Sequence, residues 1–288
     1  MGAVTWVDAL SPTHEEILLL QKTYKINDAV TRDLMIPTLV PRVDECDEHL
    51  YTVLHFPASK HSHRENAQEI DFVVGKNYFI TVRYDTIDSI HLLFKSFEVG
   101  GILGDGSRFA HAYELFFVVV RKMYESVLDE LSAMEDQFDS IEGAIFDGRE
   151  KDMVAAISRA SRTLLDFKRT LIPHEEIFGT LEQVGVRQFG KDFSKDVSII
   201  SKEYHRARNR IHDDIEALIE LRETNNTLLS TKQNEIIKIF TILAFVTFPL
   251  TIIMDIIQAD RGIIWLFVIL LIVSIVAMIT FFKYRKWL

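Results

Sequence analysis

The chain has 288 residues, of which 42 are acidic and 32 are basic, so its formal net charge is −10 at pH 7. Residues 1–233 carry 27 basic and 39 acidic side chains, a net charge of −12, and the rest of the chain is slightly basic. This acidic character excludes a nucleic-acid-binding protein, which needs Lys and Arg to neutralise phosphates. Cys46 is the single cysteine, which excludes an intrachain disulfide and a cysteine-based zinc site.

Residues 1–110 alternate short strand and helix signals, a pattern typical of an α/β module within an α+β protein. Ser11 and Pro12 predict the start of a helix, with Ser11 as the cap and Pro12 at the first helical position. Gly75-Lys76-Asn77 predicts a hairpin turn. β-Rich runs predict strands at 4–7, 49–56, 70–74 and 78–82. We expect a mixed or antiparallel sheet covered by helices.

Residues 111–195 are predicted to form an acidic helical hairpin. Apolar residues recur at alternating spacings of four and three on both sides of Asp147-Gly148, which indicates two packed helices joined by a tight turn. The first helix carries acidic side chains on its outward face: Asp129, Glu130, Glu135, Asp136, Asp139 and Glu142. These acids form either a solvated face or a surface that concentrates cations.

The remaining residues are predicted to form a stalk and a membrane hairpin. A stalk helix over 196–235 shows no break before it enters the first apolar segment at about 236–257, and a second apolar segment covers 263–282. At about 1.5 Å per residue, each segment is long enough to cross a hydrocarbon core of about 30 Å. Lys283, Arg285 and Lys286 follow the second segment, and the positive-inside rule puts both termini in the cytoplasm. The sequence therefore predicts a multi-pass protein of the cell membrane.

Several strings along the chain carry a family resemblance. They are WVDALSPTHEEI, PRVDECDEHLYTVLHFP and EIDFVVGKNYFITV near the start, LLSTKQNEIIKIFTILAFVTFPLTII at the stalk, and FFKYRKWL at the end. With them, essentially the whole chain resembles the CorA-type magnesium transporters. The resemblance implies a funnel-shaped homopentamer whose first spans line the pore and whose second spans face lipid. It also implies Mg²⁺ as the transported and regulatory ion, with no organic cofactor.

One family motif is missing from this sequence. CorA-type proteins follow the first span with Gly-Met-Asn or Gly-x-Asn, which forms the outer selectivity mouth. Counted without gaps from Pro249, the three corresponding residues are Gln258, Ala259 and Asp260. The resemblance therefore leaves the identity of the ion open.

The candidate pore residues share one helical face. Steps of three or four residues from Asn234 lead through Ile237, Thr241, Ala244, Phe248, Thr251, Asp255 and Gln258. The resemblance directs this face to the pore, where Asn, Thr and Asp side chains would bind a hydrated cation through its water shell. Glu223 aligns with an acidic pore residue of the family. The candidate ion-binding residues are thus Glu223, Asn234, Thr251, Asp255 and Asp260, and the candidate gate consists of Ile237, Phe240 and Phe248.

Asp255 is an acid within an apolar segment, where a carboxylate costs about 2.5–3.5 kcal/mol near the centre of a bilayer. The family usually has glycine at this point. One hypothesis is that five copies of Asp255 form an anionic ring that replaces the missing motif and shares protons when empty. The alternative is that Asp255 reaches the outer interface or pairs with Arg261.

Transport of a divalent cation is the leading functional prediction, with Mg²⁺, Co²⁺, Ni²⁺ and Zn²⁺ as candidates. Two alternatives stay open because the Gly-x-Asn motif is missing: a ligand-gated, less selective effector channel and a non-conducting membrane scaffold. No nucleophile–base pair or other catalytic motif is present, so we expect no enzymatic activity.

Overall fold

The structure is a computed structural model that describes residues 4–57, 67–102, 109–258 and 264–284. Met1–Arg222 and Glu223–Leu288 form two compact units. The strands are β1 Thr5–Leu10, β2 Arg42–Glu45, β3 His49–Phe56, β4 Gln68–Gly75 and β5 Tyr78–Arg83. The helices are α1 His14–Tyr24, α2 Asp28–Asp33, α3 Asp88–Ile102, α4 Ala112–Phe146, α5 Glu150–Leu171, α6 His174–Phe189, α7 Phe193–Gln258 and α8 Ile264–Tyr284.

The first unit contains a five-stranded mixed sheet. Its strand order is β1-β5-β4-β3-β2, in which β1 pairs with β5 in parallel and the other neighbours are antiparallel. All residues of β3 and β4 are buried, including the polar residues Gln68, Glu69 and Asp71 of β4. Of the two sheet types expected from the sequence, mixed or antiparallel, the mixed one is observed, and β2 is a strand that the sequence patterns did not reveal.

Helices α1 and α2 cover one face of this sheet. Ile17 of α1, Val30 of α2 and Leu34, which directly follows α2, are buried in one cluster with Tyr51 and Val73 of the central strands. The predicted helix start at Ser11 and Pro12 is wrong, because α1 begins at His14. Thr13 caps it: its hydroxyl accepts from the Glu16 amide, and the Glu16 carboxylate accepts from the Thr13 amide.

Helices α4 and α5 form the predicted pair of long helices. They are joined at Asp147–Arg149, where Gly148 adopts a positive φ of 89° that suits glycine. The predicted seam of α4 is buried throughout, namely Val127, Leu131, Met134, Phe138, Ile141 and Ile145. α6 follows α5 as a separate helix, which the sequence analysis did not distinguish.

Helix α7 has 66 residues and includes Pro249 in its interior. It begins at Phe193, three residues before the predicted start at Asp196, and confirms the long helix expected from the sequence. Among the described residues, none of the helices combines the length and apolar character needed to cross a lipid bilayer. The two membrane segments at 236–257 and 263–282 therefore stay predictions from the sequence.

Candidate ion-conducting site

One face of α7 carries the candidate site. Because α7 is helical from Glu223 to Gln258, side chains three or four residues apart lie on the same side. We call the following exposed or half-exposed series the polar stripe: Glu223, Thr227, Ser230, Asn234, Ile237, Thr241, Ala244, Phe248 and Thr251. The structure thus brings the predicted residues Glu223, Asn234 and Thr251 onto one continuous helical face.

Thr227 and Ser230 are members of the stripe that the sequence analysis missed. They continue the steps of three and four residues from Asn234 back to Glu223, and both side chains are exposed. The same periodicity could have identified them. All four stripe residues from Glu223 to Asn234 are therefore polar.

Threonine hydroxyls on the stripe donate their protons to the helix itself. The Oγ1 atom of Thr241 lies 2.7 Å from the Ile237 carbonyl oxygen, and Oγ1 of Thr251 lies 2.7 Å from that of Phe248. Each hydroxyl then presents only its remaining lone pairs outward. Such oxygens accept hydrogen bonds from the water molecules that surround a cation, so they suit an ion that keeps its hydration shell.

The candidate gate residues are large, apolar and exposed on the single chain. The exposed fractions are 52% for Ile237, 66% for Phe240 and 58% for Phe248. A group of large apolar side chains that are exposed together is typical of a surface that another molecule covers. Where several copies surround a common axis, rings of such side chains form a constriction that excludes water and closes a pore.

The remaining predicted residues are only partly described. Asp255 and Gln258 belong to α7, and their side chains lie outside the described part of the structure. Ala259 and Asp260 lie outside the described residues altogether. The anionic ring at Asp255 and the replacement of the Gly-x-Asn motif therefore stay predictions.

Helix α7 also carries buried polar side chains outside the polar stripe, among them Asp214 and Asn225. Burial, and after it the negative charge of Glu135, raise the pKa of the Asp214 carboxyl to about 6, although the positive charge of Arg210 acts in the opposite direction. Asn225 is buried, whereas Arg222 is exposed.

The part of the site that the structure describes contains no preformed chelating cluster. Within the described ranges, no group of three or more His, Cys, Asp or Glu residues is arranged to bind a metal ion. The polar stripe of one chain therefore offers isolated amide, hydroxyl and carboxylate oxygens. Repetition of the stripe around an axis is the arrangement in which such oxygens surround a hydrated ion.

Comparison with known proteins identifies the family. Residues 2–285 match the family model described as CorA-like Mg²⁺ transporter protein. The chain belongs to this family. The family consists of transporters and not of enzymes, as the sequence analysis expected.

Individual relatives of this CorA-family chain agree in sequence and in fold. The chain is 21% identical over 302 residues to the cobalt/magnesium transport protein CorA of Thermotoga maritima, which covers 99% of this chain and 83% of the relative. The complete structure of the CorA magnesium transporter from Methanocaldococcus jannaschii matches with a TM-score of 0.78 and 18% identity, covering 98% of this chain and 91% of that one. The full-length CmaX protein matches with a TM-score of 0.74 and 16% identity, over 98% and 87% of the two chains.

Proposed function

We propose that the chain transports divalent metal cations, with Mg²⁺ as the first candidate, across the cytoplasmic membrane. The single observation that carries the proposal is the polar stripe on α7 in a chain of the CorA-like family. A relative described as a cobalt/magnesium transport protein matches almost the whole chain, which supports the same class of cargo. Mg²⁺ loses water reluctantly, so a path lined by isolated oxygen atoms suits it.

The transporting unit is proposed to be a homopentamer, as the family resemblance implies. Five copies of α7 would direct their stripes to a common axis, which covers the exposed side chains of Ile237, Phe240 and Phe248. In this arrangement Glu223 and Asn234 form rings at the cytoplasmic end, and the apolar residues form the gate. Residues 196–235 act as the stalk that connects the cytoplasmic domain to the pore.

Two membrane spans at 236–257 and 263–282 are part of the proposal. Their support is the sequence, since residues 263–282 contain no charged side chain and residues 239–257 contain only Asp255. Lys283, Arg285 and Lys286 then lie in the cytoplasm, where the first 235 residues also lie. Gln258 to Gly262 connect the spans on the opposite side.

The outer mouth is proposed to be an anionic ring of Asp255, with Asp260 nearby in the connecting turn. Asp255 follows Thr251 by four residues on the stripe and precedes the residues that replace the family motif. A ring of carboxylates stabilises a cation that has just entered the pore. The competing arrangement, in which Asp255 reaches the interface or pairs with Arg261, predicts that neutralising Asp255 leaves transport unchanged.

A second candidate function is a channel or scaffold that does not select Mg²⁺. The observation that favours it is the presence of Gln258, Ala259 and Asp260 where the family has its selectivity motif. In the channel, a cytosolic ligand would open a less selective pore. In the scaffold, the protein would have the same fold but conduct no ions.

Flux measurements on the purified full chain separate these functions. The protein is reconstituted into liposomes, and uptake of Mg²⁺, Co²⁺, Ni²⁺ and Zn²⁺ is followed with entrapped metal-sensitive dyes. We expect uptake of Mg²⁺ above that of protein-free liposomes, with little passage of Na⁺ or K⁺. Equal passage of monovalent cations would support the less selective channel, and no passage of any ion would support the scaffold.

A further inference from the structure

A cavity in the first unit lies between the end of α5 and residues 204–212 of α7. It encloses about 320 Å³, which falls within the range of about 300–1,000 Å³ that small-molecule sites occupy. The cavity has basic and polar groups at its rim and apolar groups at its floor. This size and lining suit a small molecule that carries both a charge and an apolar part.

Three basic side chains line the cavity, namely Lys168 of α5 and Arg208 and His212 of α7. Arg208 and His212 are four residues apart on one helix, so they share a face, and all three side chains are exposed. Among the residues that the structure describes, no Asp or Glu lines this cavity. The cavity also adjoins a basic segment of an acidic protein, because residues 202–212 contain four Lys or Arg and one Glu. It therefore attracts anions.

The basic side chains have capacity for a further anion. Lys168 has no carboxylate oxygen within 4.0 Å in the described part of the chain. The Nη1 atom of Arg208 donates to Glu175 at 2.8 Å, but these side chains are 52% and 60% exposed, and such ion pairs contribute little to stability. Nε2 of His212 lies 3.3 Å from Glu216 in a similarly exposed pair. Because a guanidinium carries five N–H donors, Arg208 can bind a phosphate with donors that Glu175 does not use.

The floor of the cavity consists of apolar and aromatic side chains. Leu171, Tyr204 and Ile211 are buried, with exposed fractions of 2%, 1% and 2%. Ile172 also lines the cavity and is 57% exposed, so a ligand would remove apolar surface from water. An inorganic phosphate ion gains nothing from such surface, whereas a phosphate attached to a flat apolar group does.

The side-chain amide of Asn209 completes the lining of the cavity. This side chain is exposed, and an amide offers a ligand both a donor and an acceptor. Asparagine amides pair in this way with the N6 and N7 atoms of adenine. The cavity therefore combines groups that suit a phosphate, an apolar ring and the polar edge of a base.

We propose that this cavity binds a nucleotide, with AMP as the simplest member of the class that fits. Lys168 and Arg208 hold the phosphate, since ammonium and guanidinium groups are the usual partners of phosphate oxygens in proteins. The base lies against the apolar floor, with its polar edge towards Asn209. All these residues belong to one chain, so the site needs no second copy. The site does not depend on the proposed transport function.

Calorimetric titration of AMP into the full chain in detergent tests the proposal. The buffer contains EDTA, so that no metal ion bridges protein and phosphate. We expect saturable binding of one AMP per chain, with an affinity that falls about tenfold or more in Lys168→Gln/Arg208→Gln, because charged hydrogen bonds to the phosphate are lost. The control Arg169→Gln/Lys202→Gln removes one exposed base from each of the same helices outside the cavity and should keep the wild-type affinity. No saturable binding by the wild type, or equal affinities in the two double variants, would overturn the proposal.

The parts of the ligand are tested separately with adenosine and with inorganic phosphate. Each should bind at least about tenfold more weakly than AMP, because each uses only half of the lining. Equal affinities for inorganic phosphate and AMP would contradict a nucleotide site and indicate a simple phosphate site.

Thermal unfolding gives a second readout and checks folding. Both double variants replace exposed side chains, so without ligand they should unfold close to the wild-type temperature. Saturating AMP should raise the unfolding temperature of the wild type and of the control, and clearly less that of Lys168→Gln/Arg208→Gln. Equal rises in all three proteins would show that AMP binds elsewhere.

Discussion

The guanidinium group of Arg83 binds the carboxylate of Asp8 with two of its nitrogen atoms. Nε lies 3.1 Å from Oδ1, and Nη2 lies 2.8 Å from Oδ2. Both side chains are buried, with exposed fractions of 3% for Arg83 and 6% for Asp8. The pair connects β1 to β5, the only strand to which β1 is hydrogen bonded within the described sheet. It therefore fixes an edge strand to the core.

Asp8→Asn should destabilise the first unit by about 3 kcal/mol or more, because it leaves a buried guanidinium without its counter-charge. Chemical denaturation of the full chain in detergent measures the change. Glu45→Gln is the matched control, since it breaks an ion pair with Arg187 whose side chains are 46% and 59% exposed. That variant should lose less than about 1 kcal/mol. Equal losses of unfolding free energy in the two variants would show that the buried Asp8–Arg83 pair stabilises the protein no more than an exposed ion pair does.

His174 is expected to make the first unit sensitive to acid. Its side chain is fully buried; Nε2 donates to the His55 carbonyl oxygen at 2.9 Å, so Nδ1 accepts from the hydroxyl of Tyr124. Burial lowers the pKa of His174 to about 4, although the hydrogen bond to His55 opposes the shift. The histidine pKa in the unfolded chain is about 6.5. Between this pH and about 4, the unfolded chain therefore binds a proton at His174 that the folded chain does not bind.

The free energy of unfolding should thus fall as the pH drops from about 6.5 towards 4, and this contribution should be flat above about 6.5. Denaturation at pH 7.5 and pH 5.0 measures the loss. In His174→Gln the loss between these pH values should be smaller, even though the variant is less stable at both. His91→Gln, which replaces an exposed histidine, should keep the wild-type loss. An unchanged pH dependence in His174→Gln would contradict the assignment.

Two glycines of α6 should respond oppositely to alanine. A Cβ on Gly185 would lie 2.1 Å from the ring of Phe193, whereas a Cβ on Gly179 meets nothing within 4 Å. Gly185→Ala should therefore destabilise the protein by about 1–3 kcal/mol through overpacking. Gly179→Ala, at an exposed helical residue, should stabilise it by about 0.5–1 kcal/mol. Unfolding temperatures of both variants in one detergent decide the matter, and two shifts of the same sign would refute the packing of α6 against Phe193.

Composition and spacing predicted the elements whose burial leaves a regular pattern in the sequence, β-rich runs for the strands and a repeat of three and four residues for the helices. The strands at His49–Phe56 and Tyr78–Arg83 and the buried seam of α4 were found because burial imposes their patterns. The start of α1 was misplaced because Ser11-Pro12 and Thr13 are both acceptable helix starts. Only the reciprocal bonds of Thr13 and Glu16 distinguish them.

The polar side chains of α7 also include some that the sequence reveals and others that only the structure reveals. The polar stripe of α7 follows from spacing alone, and Thr227 and Ser230 could have been added by the same rule. The contact of Glu135 on α4 with Arg210 on α7 could not be predicted, because the two residues are 75 positions apart in sequence and only tertiary packing brings them together.

The hydroxyl of Thr251 is expected to contribute to ion passage and little to stability. Its proton is donated to the Phe248 carbonyl oxygen, so Thr251→Val removes lone pairs from the stripe without leaving a buried partner unpaired. We expect Mg²⁺ uptake into liposomes to fall about threefold or more, with an unchanged unfolding temperature. Thr280→Val is the control on α8, where the hydroxyl donates in the same way to Val276. Similar uptake by the two variants would show that Thr251 does not face the ion.

Mg²⁺ uptake by Asp255→Asn in liposomes is the most direct test of the central claim that α7 lines a path for divalent cations. Glu235→Gln serves as the control, because Glu235 is an acid of the same helix outside the polar stripe. We predict that Asp255→Asn loses about tenfold or more of the uptake rate, or its preference for divalent over monovalent cations, whereas Glu235→Gln keeps both. Wild-type rate and selectivity in Asp255→Asn would contradict the account.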